Sequence, residues 1–107
     1  MKRKGKGEED AYFIVEPCAS ANGFEIKLKN LRIDLKRAED AISAIGRVGA
    51  SMPVVLVASV DNLSLSVYAS GRIMMKRSGS RISAPEAQSI ARKLMDALRD
   101  GKALIPQ

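Results

Sequence analysis

Few side chains in these 107 residues are equipped for catalysis: there is no His and a single Cys. Cys18 would lack the imidazole that commonly activates a thiol nucleophile. A lone cysteine also excludes an internal disulfide, so it reads as a small buried thiol in a reducing compartment. The nearest approaches to paired carboxylates, Glu39 with Asp40 and Asp96 with Asp100, read as solvated charges on outer helix faces. No metal-ligand spacing and no phosphate-cradling glycine loop occurs. The sequence therefore predicts a non-enzyme, with no metal, cofactor or small-molecule substrate.

What remains is positive charge. Eighteen Lys and Arg stand against twelve Asp and Glu, a formal net charge of +6. A basic surface attracts phosphates by Coulomb attraction and counterion release. From Leu63 to Arg81 the chain reads LSLSVYASGRIMMKRSGSR, with no acid between Asp61 and Glu86. Arg72, Lys76, Arg77 and Arg81 are thus expected to stand unopposed.

The elements that would carry these residues follow from periodicity. Residues 1–10 are charged and Gly-containing and read as a disordered tail, in which Lys2, Arg3, Lys4 and Lys6 could touch a polyanion. Residues 11–107 read as one domain. Tyr12–Val15 is a short β-prone run that Pro17 breaks, and Asn22-Gly23 suits a tight turn. Phe24, Ile26 and Leu28 alternate with Glu25, Lys27 and Lys29, which predicts a half-buried strand. Asp34 is a candidate N-cap for a helix over 35–46 that Gly46 or Gly49 ends. The apolar run 54–60 reads as an interior strand, Asp61-Asn62 as a hairpin turn, and 63–68 and 72–76 as the rest of a meander. Ser83 with Glu86 forms a capping-box pattern, with Pro85 in the first turn, for a helix reaching about Asp100 and capped by Gly101.

Both helices are one-sided, so packing them on one face of an antiparallel sheet is the economical arrangement. Pleat alternation sends Phe24, Ile26, Leu28, Leu63, Leu65, Val67, Ile73 and Met75 toward the helices. It sends Lys27, Lys29, Ser64, Ser66, Tyr68, Arg72, Met74 and Lys76 outward. An open basic sheet bearing an aromatic suits nucleic acid, since cations hold phosphates while a ring stacks or wedges.

Residues 65–98, LSVYASGRIMMKRSGSRISAPEAQSIARKLMDAL, resemble the strand, Ser-Gly turn, strand and helix of one repeat of the TATA-box-binding protein fold. IDLKRAEDAI at 33–42 resembles that family's helix entry, and the likeness spans roughly 24–100. It implies an α+β half-saddle: a curved antiparallel sheet with two helices on its convex side. In the family a second repeat completes the saddle over DNA, and paired phenylalanines wedge into base steps. Tyr68 matches one wedge position. The other falls near Ser51 and Met52, where no aromatic stands, and the long apolar strand lacks an arginine that the family often carries.

The expected function is nucleic-acid binding, to DNA or RNA, by the open sheet face. Its candidate contacts are Lys27, Lys29, Ser64, Ser66, Tyr68, Arg72, Met74, Lys76, Arg77 and Arg81. The alternative is a protein-interaction or assembly domain, and a homodimer could supply the missing half of the saddle. No apolar run is long enough to span a membrane, and no signal peptide is evident, so a cytoplasmic protein is expected.

Overall fold

The computed structural model describes residues 12–18, 23–77 and 81–107. The charged tail 1–10, Asn22 of the expected Asn22-Gly23 turn and the loop 78–80 lie outside the described residues. Eight strands and two helices are described: β1 (Phe13–Pro17), β2 (Gly23–Leu28), β3 (Leu31–Ile33), α1 (Leu35–Ser43), β4 (Arg47–Ser51), β5 (Val55–Val60), β6 (Leu63–Tyr68), β7 (Arg72–Lys76), α2 (Ala84–Asp100) and β8 (Leu104–Pro106). The fold is α+β. Six strands form an antiparallel sheet in the order β1-β2-β7-β6-β5-β4, and β3 pairs with β8 separately.

The alternation read from the sequence sets the sheet's faces. Ile26, Leu63, Leu65, Val67, Ile73 and Met75 are buried, and Phe24 and Leu28 pack against them. The opposing layer supplies Ala38 and Ile42 from α1 and Ala87, Ile90, Ala91, Leu94, Met95 and Leu98 from α2. With no Trp and few aromatics, the core is aliphatic, and its stability comes from apolar area removed from water.

Asp61 and Asn62 both adopt positive φ, 51° and 69°. That twist matches the flanking strands in a two-residue hairpin, so β5 and β6 pair in full from Val55↔Tyr68 to Val60↔Leu63. In the next turn Gly71 has φ 105°, and a Cβ there would lie 2.4 Å from the Leu31 carbonyl oxygen. Only glycine fits that close approach.

Three expectations need correction. The first helix ends at Ser43, not at 46: the Ala44 and Ile45 N–H groups bond only three residues back, to the Ala41 (3.3 Å) and Ile42 (3.0 Å) carbonyls, and 47–51 pair with β5. Pro17 ends β1 rather than breaking it. The backbone polar groups of Tyr12 and Cys18 face β2, which leaves Pro17, an odd number of residues from each (five and one), turned to the free edge. Its missing N–H costs no ladder bond there. Ser83 Oγ accepts the Glu86 N–H (3.2 Å), but the Glu86 carboxylate pairs with Arg77, so the capping box is one-sided.

At the end of α2 the expected cap is in place. Gly101 stands at the C-cap with φ −82°, and Lys102 takes the left-handed conformation at 60°. Lys102 N–H bonds to the Arg99 carbonyl (3.0 Å) and Ala103 N–H to the Leu98 carbonyl (2.8 Å), the two bonds of a Schellman ending. Glycine is needed at 101 for another reason: a Cβ there would lie 2.9 Å from Ala41 Cβ. The residue lets α2 approach α1.

Candidate functional site

Strand register arranges the open face into three cross-strand rows. One runs Ile14–Lys27–Arg72–Tyr68–Val55 from β1 to β5. The second runs Glu16–Glu25–Met74–Ser66–Val57–Ala50, from β1 to β4. The third runs Gly23–Lys76–Ser64–Ser59–Arg47. Cys18 continues it at one end, where its N–H meets the Gly23 carbonyl at 3.0 Å.

Of the residues expected to make contacts, Lys27, Ser64, Ser66, Tyr68, Arg72, Met74 and Lys76 are brought together on this face. Arg77 and Arg81 are not. Lys29 is exposed one residue past the end of β2, where its N–H continues the ladder to the Tyr12 carbonyl (2.9 Å), in phase with Lys27. Arg77 turns to the helix layer, pairing with Glu86 in the first turn of α2 and donating to the Arg81 carbonyl (3.3 Å). Arg81 lies on the approach to α2, exposed but away from the strands.

The expectation of unopposed cations also fails for Arg72 and Arg77. Strand order places β1 and β2 beside β7, and their outward acids arrive with them. Glu25 Oε2 lies 2.5 Å from Arg72 Nε, and Glu16 Oε1 lies 3.7 Å from Lys27 Nζ. Arg72 makes two more contacts, its guanidinium 5.6 Å from the Tyr68 ring centroid and Nη2 3.8 Å from Met74 Sδ. Its cation lies over the ring, within cation–π range, while its Nε meets the carboxylate.

Lys76 and Arg47 differ: among the described residues neither has an ion pair, and both are exposed. They bracket Ser64 and Ser59 in the third row, three strand spacings apart, about 14 Å. Sequence reading missed Arg47 because RVGAS has a weak strand signature beside two glycines.

Burial pushes the Cys18 thiol above its ordinary value, and the Glu25 carboxylate adds to the rise. Lys76 and Arg72 pull it back in part. The thiol is half-buried. Among the described residues no cluster of His, Cys, Asp or Glu is placed to hold a metal, and no helix is long and apolar enough to cross a membrane. No family model, curated protein or solved structure matches the chain.

Proposed function

We propose that the chain is a small, non-catalytic nucleic-acid-binding module of the cytoplasm, which lays its open sheet face on a phosphate backbone of DNA or RNA. The half-saddle form implied by the family resemblance is part of this proposal. The observation that carries it is the third row: two exposed, unpaired cations flank two serine hydroxyls, on the same face as Tyr68 and Arg72 and separated from them by the Met74–Ser66 row. Cations without internal partners are free to neutralise phosphates, and hydroxyls between them leave room and donors for a backbone to settle.

The test is a chemical-shift titration with single- and double-stranded oligonucleotides, with affinity followed against salt. Lys76→Ala and Arg47→Ala should each weaken binding and reduce the salt slope by about one. Affinity unchanged in both variants refutes this face as the site.

A second reading, a protein-interaction or assembly domain that includes the homodimer, draws on exposed apolar side chains. Met52 is 46% and Val54 67% exposed beside the β4 edge. Both sheet edges carry features that discourage open pairing: Pro17 on β1, and on β4 a register break between Val48 and Ala50 with Pro53 just beyond. A partner retained without salt sensitivity favours this reading, and a concentration-independent mass near 11.5 kDa in sedimentation rules the homodimer out.

A further inference from the structure

We infer that Glu25 is a positioning residue of this face: it holds Arg72 over the Tyr68 ring and so decides which ligands can recruit that cation. The inference rests on the nucleic-acid reading for its consequence, but not for its geometry. Arg72 is the most engaged side chain on the face, with Glu25 at its Nε, the Tyr68 ring beneath its guanidinium and Met74 Sδ at Nη2. Glu25 is itself the less exposed partner, 17% against 52% for Arg72. A carboxylate held by its strand and flanked by β1 and β7 moves little. The arginine is therefore the partner that must move.

This arrangement has two consequences for a ligand. The guanidinium lies over one side of the Tyr68 ring, 5.6 Å from its centroid, so a base stacking on that side must sandwich Arg72 or displace it. A phosphate that captures Arg72 must replace the Glu25 carboxylate, which is then left without its cation beside the phosphate charge. A single phosphate competes poorly with a carboxylate already in place. A polyanion also engaging Lys76 and Arg47 competes well, because those contacts come without internal displacement. Glu25 thus selects for extended polyanions over isolated phosphates.

The test compares the intact chain, Glu25→Gln, Arg72→Ala and the double variant, using fluorescence anisotropy with a labelled oligonucleotide. Glu25→Gln is expected to tighten binding several-fold at low salt and to steepen the salt slope by up to about one, since no uncompensated carboxylate remains in the complex. The gain should vanish in the Arg72→Ala background. A gain of equal size there means simple repulsion of phosphate by Glu25 and overturns the positioning role, as does no gain at all. A ligand-free measurement separates this inference from the function: solvent exchange of the Arg72 Nε–Hε proton by NMR. It should quicken several-fold in Glu25→Gln, and an unchanged rate overturns the inference even if oligonucleotide binds. If no variant binds oligonucleotide, the functional reading falls while the exchange rate still decides the role of Glu25.

Discussion

Gly101→Ala tests whether glycine at the end of α2 serves backbone conformation or helix packing. With φ −82° the backbone at 101 accepts alanine without strain. On conformation alone, the substitution would stabilise the protein by about 0.4–1 kcal/mol, through a less flexible unfolded chain. The packing predicts the opposite. The new Cβ would lie 2.9 Å from Ala41 Cβ and 3.2 Å from the Ala97 carbonyl oxygen. Carbon atoms prefer about 3.5–4.0 Å, so the helices must part by roughly half an ångström or more. Overpacking of that kind costs about 1–3 kcal/mol. Subtracting the conformational gain leaves a net loss of roughly 0.5–2 kcal/mol, worth several degrees of melting temperature in a chain of this length. Urea unfolding of Gly101→Ala, Ala41→Gly and the double variant measures it. Ala41→Gly costs something by itself in a helix interior, about 1 kcal/mol. It should nevertheless absorb most of the Gly101→Ala loss, giving a coupling of about 1 kcal/mol between the two positions. Additive effects, or a stabilising Gly101→Ala, would refute the argument from close helix approach.

Two further substitutions probe the layers and one reaction probes the open face. Leu94→Ala removes a fully buried side chain and should cost about 2–5 kcal/mol in chemical unfolding. Its neighbour Lys93 makes only an exposed pair with Asp61 at 3.1 Å, so Lys93→Ala should cost about 0.2–1 kcal/mol. Equal losses would overturn the assigned helix face. Lys102→Gly should stabilise, because the left-handed φ of 60° suits glycine better than lysine, and a lower denaturation midpoint would contradict it. Cys18 should react slowly with a neutral alkylating reagent near about pH 8, and its rate should keep rising with pH after a small free thiol has levelled off. The sign follows from burial and Glu25, which both favour the protonated thiol. Glu25→Gln should accordingly speed the reaction, and a slower one would refute that cause.

The elements were legible wherever one local signal sufficed. The strict alternation from Leu63 to Val67, the Asp61-Asn62 turn and the Asp34 and Ser83 caps each state their geometry within a few residues. The Asp34 carboxylate does accept the N–H groups of Lys36 (3.0 Å) and Arg37 (3.2 Å). Elements that exist only through a distant partner were not legible. β4 is a strand because β5 offers it an edge, and Leu104–Pro106 is one because β3 does. RVGAS and LIP have too little β-branched or alternating character to show this alone. Gly101 was illegible in a different way: its position beyond a helix suggests a conformational cap, but the contact that requires it comes from Ala41, sixty residues earlier.

The same distinction separates what was legible of the site from what was not. Facing within a strand follows from the pleat, so Ser64, Ser66, Tyr68, Arg72, Met74 and Lys76 could be placed on one surface from the sequence. Electrostatics across strands depends on neighbour order, which the pleat does not give. The stretch between Asp61 and Glu86 has no acid in sequence, but β2 and β1 sit beside β7 and bring Glu25 and Glu16 onto its open face. Charge therefore becomes mixed on the β1–β2–β7 side and remains singly positive along the row from Lys76 to Arg47. On the proposed function, a polyanion drawn by the net charge of +6 would meet its least costly contacts on that row, because nothing internal must be displaced there. Arg72 would join only when a ligand already held by Lys76 and Arg47 draws it away from Glu25. Binding ordered in this way predicts that Arg47→Ala and Arg72→Ala are non-additive. Losing Arg47 weakens the hold on which recruitment of Arg72 depends, so Arg72→Ala should cost less affinity in the Arg47→Ala background than in the intact chain. Anisotropy titrations of the two single variants and the double variant, at one low salt concentration, measure the coupling. Strict additivity would show that Arg72 engages phosphate independently, and would refute the ordered scheme.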